Sequence, residues 1–150
     1  MESCVQFSFF LVNKPGVLTQ IFTDLAKNKI NIRSVAMMDS MEHGVLRMIV
    51  DDPVAARPVL RNLNVPVTET DVLAVILDNR PGAAADLCEK LSADKVNIAY
   101  MYCTGGAKGG KTSVVLKVPD IKKAMKVLEN HREKRRDIKM KLRRPLTTRR

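Results

Sequence analysis

A chain of 150 residues, 45% hydrophobic and with a formal net charge of +10, is long enough to bury a core as one ordinary domain or two very small ones. The charge is segregated: residues 131–150 hold ten Lys/Arg against two Asp/Glu, leaving only +2 on residues 1–130, so the high net charge belongs to the C-terminal end and does not by itself indicate a nucleic-acid-binding fold. No apolar run reaches the ~20 residues of a membrane span, Glu2 and the interruptions Gln6 and Ser8 do not read as a signal peptide, and three widely spaced cysteines, Cys4, Cys88 and Cys103, make no disulfide framework, so a cytoplasmic protein with reduced, buried or half-buried thiols is expected.

The first predicted strand runs from Val5 to Val12, with Val5, Phe7, Phe9 and Leu11 on one face. Pro15-Gly16 then punctuates a turn into a helix whose apolar positions Leu18, Ile21, Phe22 and Leu25 have 3.6-residue spacing. Strands follow at about 31–39 and 44–51, then a short helix at about 53–63 with Ala56, Val59, Leu60 and Leu63 inward, and a strand near 66–70. A second set continues with essentially no linker. Its strands lie near 71–78, 97–104 and 112–118, and its first helix places Ala84, Leu87, Cys88 and Leu91 at the same four helical points. Its second helix, about 120–130, buries Ile121, Ala124, Met125 and Leu128. In Asp137–Arg143, Ile138, Met140 and Leu142 alternate with Lys139, Lys141 and Arg143, the pattern of a half-buried last strand with a basic outer face, leaving 144–150 as a disordered tail. The run Val72–Leu77 is apolar on both faces, and a second protomer covering it would make a homodimer.

These two sets are an internal repeat. Asn13-Lys14-Pro15-Gly16 returns 66 positions later as Asn79-Arg80-Pro81-Gly82, and at that offset Leu25 meets Leu91, Lys29 meets Lys95 and Asn31 meets Asn97. A two-residue insertion near Gly105–Lys111 moves the offset to 68, where Asp52 meets Asp120, Ala56 meets Ala124 and Leu60 meets Leu128. The order β-α-β-β-α-β, twice, predicts an α+β fold of two ferredoxin-like units, residues 1–70 and 71–143, each an antiparallel sheet with helices on one face.

The repeated Asn-basic-Pro-Gly lies where each first strand turns into its helix. Proline suits a helix's first turn, and the amide groups that follow, at Gly16, Val17 and Leu18, lack intrahelical partners and match a carboxylate. Asn13 and Asn31 add amides that both donate and accept, so an α-amino acid would find an anion site and acceptors, twice over. A purely structural turn, with Asn13 as a helix cap and Asn31 capping a turn, is the competing reading of the same residues. Asn-x-Pro-Gly-Val-Leu at 13–18, the amphipathic helix and Ile30-Asn31-Ile32 closely resemble the ACT domain family. The second half, through Val96-Asn97-Ile98-Ala99, is similar to the regulatory domain of bacterial phosphoglycerate dehydrogenases, and residues 5–143 as a whole resemble stand-alone tandem ACT proteins that carry no catalytic domain. The resemblance implies a non-enzymatic sensor that binds an amino acid or similar metabolite between paired domains and regulates a partner enzyme or transporter. It implies contacts from the Pro-Gly loop of one domain and the second strand of its partner, which are Asn13, Pro15, Gly16, Val17, Leu18, Asn31 and Ile32 in the first copy and Asn79, Arg80, Pro81, Gly82, Ala83, Ala84, Asn97 and Ile98 in the second. Serine-sensing members carry a histidine two positions before the loop asparagine. Leu11 and Leu77 stand there, which fits a ligand with an apolar side chain better.

Other signals compete. Gly105–Thr112 has the spacing of a phosphate-binding loop, but the β-branched run after it does not read as the required helix, so nucleotide binding is the weaker alternative. A nucleic acid or an acidic partner on the basic C-terminal end is another, with Tyr100 and Tyr102 as a sparse stacking platform. No catalytic constellation appears. His43 and His131 stand alone and no Cys-x-x-Cys occurs, so neither metal nor cofactor is expected.

Overall fold

The computed structural model describes residues 1–12, 14–38, 43–105 and 110–131. In chain order they form β1 (Glu2–Val12), α1 (Val17–Lys27), β2 (Ile32–Met38), β3 (His43–Val50), α2 (Pro53–Arg61), β4 (Val67–Asp78), α3 (Ala83–Ala93), β5 (Tyr100–Thr104) and β6 (Lys111–Lys117), followed by α4 (residues 121–131). The repeat is visible in the backbone itself. Gly16 and Gly82 share a left-handed φ, 91° and 82°, at the starts of α1 and α3, and Lys29 and Lys95 share one, 57° and 54°, just past their ends. There the amide of Ile30 donates to the Leu25 carbonyl at 3.0 Å and that of Val96 to Leu91 at 2.8 Å, the wrap-around bond that satisfies a helix's last carbonyls.

The strands join in one six-stranded sheet, ordered β2-β3-β1-β4-β6-β5, in which every pair is antiparallel. All four helices lie on one face. Phe7, Phe9 and Leu11 of β1 pack with Ile21, Leu25 and Leu60 of α1 and α2. Leu73 and Val75 of β4 pack with Leu87, Leu91 and Leu128 of α3 and α4. The opposite face curls inward. Ile49, Val72 and Val115, one from each of three strands, are buried together against Cys4 and Tyr102, and the edge strands β2 and β5 meet where the Thr104 hydroxyl bonds that of Ser34 at 3.0 Å.

Several expectations change. The strands expected at 66–70 and 71–78 are one element, β4, so a boundary at residue 70 falls inside a continuous strand. β1 starts at Glu2, because its first residues pair with Val72, Leu73 and Ala74. Residues 97–99 are not strand, and β5 begins at Tyr100. Ala84 and Cys103 are exposed, so α3 buries Leu87 and Leu91 with Cys88 half-covered. The second face of Val72–Leu77 is closed from within by the curl: Val72 is fully buried and Ala74 6% exposed, and Ile76 alone of that face is open at 56%. This part of the face is therefore covered without a second protomer. The segment Asp137–Arg143 and the tail 144–150 lie outside the described residues. Among the described residues no helix is long and apolar enough to cross a membrane.

Candidate functional site

Four helices begin in two distinct ways. At α2 the Asp52 carboxylate accepts from the amides of Val54 and Ala55 at 3.0 and 2.9 Å. At α4 the Asp120 carboxylate accepts from the Lys123 amide at 2.9 Å. These are ordinary side-chain caps. At α1 and α3 the cap position is glycine and no side-chain cap bond forms. Gly16 has nothing within 4 Å of where a Cβ would stand, so its requirement for glycine is conformational rather than steric. The amides of Val17 and Leu18, and those of Ala84 and Ala85, find no acceptor among the described residues, whereas Ala83 donates to the Arg80 carbonyl at 3.3 Å.

The start of α3 borders a cavity of about 490 Å³. Its floor is apolar, made by Val75, Leu77, Leu87 and Leu128, and its rim is charged, with Asp78, Arg80, Asp86, Lys90 and Lys111. The rim charges form two ion pairs. Arg80 Nη2 lies 2.5 Å from Asp86 Oδ2, while Arg80 Nη1 donates to the Pro81 carbonyl at 3.0 Å, folding the guanidinium over the turn. Lys111 Nζ pairs with Asp78 across the β4–β6 register, which sets these two residues opposite each other. The lysine donating to it holds the Asp78 carboxyl below its ordinary range.

Of the residues expected at a site, Arg80 and Ala83 line this cavity, and Pro81 and Gly82 form its turn. Asn79 is anchored by its amide on the Gly110 carbonyl at 2.9 Å. Asn97 and Ile98 line a separate groove of about 420 Å³ with Cys88, Ser92, Lys95 and Val96. Pro15, Gly16, Val17 and Leu18 form the α1 turn, and Asn13 lies outside the described residues. Asn31 exchanges two bonds with Asp51, its amide to the Asp51 carboxylate and its carbonyl from the Asp51 amide, both at 3.0 Å. Topology separates the turn and the asparagine of one half, against the reading that each half brings both close together, and is compatible with the implied pairing of one domain's Pro-Gly turn with its partner's second strand. β1 and β2 both run antiparallel to β3, so the turn after β1 and Asn31 before β2 sit at opposite ends of the sheet, ~20 Å apart for a strand of this length. Instead, Ser34 meets Thr104, which places Asn31 at the end of the molecule that carries Pro81-Gly82.

Sequence reasoning missed Asp78, Asp86, Lys90 and Lys111 as rim residues. Asp78 immediately precedes the second motif, and Lys111 closes the glycine-rich stretch, so a pairing of those two flanks was the available signal. That stretch is no phosphate-binding loop: Lys111 opens a strand rather than a helix, and its amine is engaged by Asp78. Nor are the tyrosines a stacking platform, since the hydroxyls of Tyr100 and Tyr102 both bond the buried Gln6 side chain, at 2.9 and 3.2 Å. No cluster of three or more His, Cys, Asp or Glu able to hold a metal occurs among the described residues.

A family profile described as an ACT domain pair matches residues 2–137. The chain belongs to the ACT domain pair family. Among solved structures, this ACT pair is similar to a protein of Bacteroides thetaiotaomicron, with 35% identity over 87% of this chain and 89% of that one and a TM-score of 0.80. It also matches the regulatory subunit of aspartate kinase from Thermus thermophilus in its ligand-free form, at 13% identity, 87% and 97% coverage and a TM-score of 0.61. The regulatory subunit of aspartate kinase from Thermus flavus matches at 15% identity, 87% and 92% coverage and a TM-score of 0.56. The last two bear on the fold alone. No match was found among the curated proteins compared.

Proposed function

We propose that this ACT pair is a non-catalytic sensor that binds an amino acid or a related small metabolite at the turn between β4 and α3 and regulates a partner enzyme or transporter. The observation that carries the reading is the contrast between helix starts. Aspartate caps α2 and α4, while behind a left-handed glycine the amides of Val17 and Leu18 in α1 and of Ala84 and Ala85 in α3 have no acceptor among the described residues, and the α3 start opens onto a cavity. Aligned amides at a helix N-terminus suit a carboxylate, and Asp78 and Asp86 on the same rim suit an ammonium group. Membership of the ACT domain pair family agrees with such a role. Because the cavity wall is β4, which both halves share, ligand binding would bias how the halves pack, and a partner would read that bias.

Thermal-shift measurement with each common amino acid tests the proposal. At least one should raise the Tm of the wild-type chain and leave that of Gly82→Val unmoved. A β-branched residue at a left-handed φ costs ~1–2 kcal/mol, so the variant should start from a lower Tm but remain folded. No stabilisation by any amino acid, or equal stabilisation of Gly82→Val, would reject it.

A further inference from the structure

We propose that the contact between β5 and the first half is a clasp, which opens as the sheet uncurls along the β1–β4 ladder while each half keeps its own core, whether or not a ligand occupies the β4–α3 cavity. The two helix-side cores share no residue. The halves are joined by the backbone ladder of β1 with β4, by the small buried patch of Ile49, Val72 and Val115, and by β5.

β5 is five residues long, stands at the edge of the sheet, and none of its residues is buried. Its backbone ladder runs to β6, and it reaches the first half through side chains. The Tyr100 and Tyr102 hydroxyls bond Gln6 at 2.9 and 3.2 Å, the Thr104 hydroxyl bonds Ser34 at 3.0 Å, and Arg47 lies over the Tyr100 ring. The bonding groups are neutral hydroxyls and an amide. Water replaces each of these bonds when the strand lifts, so parting them has a small net cost, whereas parting either helix-side core would expose apolar surface. A short edge strand with few apolar anchors is where opening below the global unfolding free energy is expected. β6, which pairs β5 from Lys117 to Ser113, begins at Lys111, and the amine of Lys111 pairs Asp78 at the cavity rim. Movement of β5 is therefore transmitted to a strand that borders that rim.

Cys4 supplies the readout. It is half-covered inside the curl, packed against the Ile49 patch, and burial pushes its thiol above the ordinary range. With Cys88→Ser and Cys103→Ser in the full chain it is the one thiol left, and its reaction with dithiobisnitrobenzoate across a urea series measures opening. At low urea the labelling rate should rise with a slope less than about a third of that of global unfolding, the mark of an opening that exposes little surface. Thr104→Val, at an exposed position, deprives the buried Ser34 hydroxyl of that bond in the closed seam, while water serves it in the open one. The variant should label at least about fivefold faster with an unchanged far-ultraviolet circular dichroism spectrum. Arg57→Gln, which breaks the Arg57–Glu69 pair between α2 and β4, should leave the rate unmoved. Labelling with the full urea slope of unfolding, or equal acceleration by both variants, would overturn the clasp. So would a shallow slope indifferent to Thr104→Val, the result expected from fraying of β1 alone.

Discussion

Gln6 has no exposed surface, yet its amide is fully used: Nε2 donates to the Ser8 hydroxyl and to the Tyr100 hydroxyl, both at 2.9 Å, and Oε1 accepts from Tyr102 at 3.2 Å. Arg47 lies over the Tyr100 ring, 3.9 Å from its centroid, and covers the cluster from the β3 side. Burial also pushes the Tyr102 phenol above its ordinary pKa, so it stays a neutral donor at any working pH. Replacing Gln6 by Leu would strand hydroxyls in a dry junction, and the expected loss is ~1–3 kcal/mol in a urea melt. Adding Tyr100→Phe and Tyr102→Phe should recover part of it, whereas additive losses would show that the cluster does not act as a unit. In the sequence Gln6 and Ser8 read as polar interruptions of a strand. Their role was not legible, because the partners of Gln6 lie 94 and 96 residues away and no local pattern joins them.

The elements were legible where local periodicity decides them. The strand alternation of β1, the 3.6-residue spacing of α1 and the paired aspartates before α2 and α4 all reappear as buried faces and helix caps. Half of the candidate site was legible for the same reason, since Pro81-Gly82 is a local signal. The other half depends on the β4–β6 register, a non-local fact, so Lys111 was read only as part of a glycine-rich loop. Local pattern alone divides β4 into two strands, one for each half. It instead serves both, pairing Val67–Ala74 with β1 and Leu73–Asp78 with β6. Leu73, fully buried where those two pairings overlap, should therefore matter to both halves. Leu73→Ala should cost ~2–5 kcal/mol, and denaturation followed by circular dichroism and by tyrosine fluorescence should keep one coincident transition. Two separate transitions would mean that the halves fold independently.

The curled sheet leaves one apolar row open. Phe10, Val45 and Met38 stand side by side across β1, β3 and β2, with Phe10 and Met38 each 48% exposed and Val12, next along β1, 49%. A contiguous apolar row of this kind marks an interaction surface, and self-association is the outcome to test there. Sedimentation velocity should find a dimer for the wild type and a folded monomer for the double change Phe10→Lys, Met38→Lys. A monomeric wild type, or a dimer indifferent to both lysines, would place self-association elsewhere or nowhere. β4 also ties the two halves together covalently and through the sheet. Because both halves pair with β4, cutting the chain between them would cost each a neighbour. A break after residue 70 would take from the first product the strand that borders Glu2–Val5, and from the second the neighbour that covers its innermost strand. A chain cut there should therefore yield two fragments that each lack a sheet neighbour the intact molecule supplies.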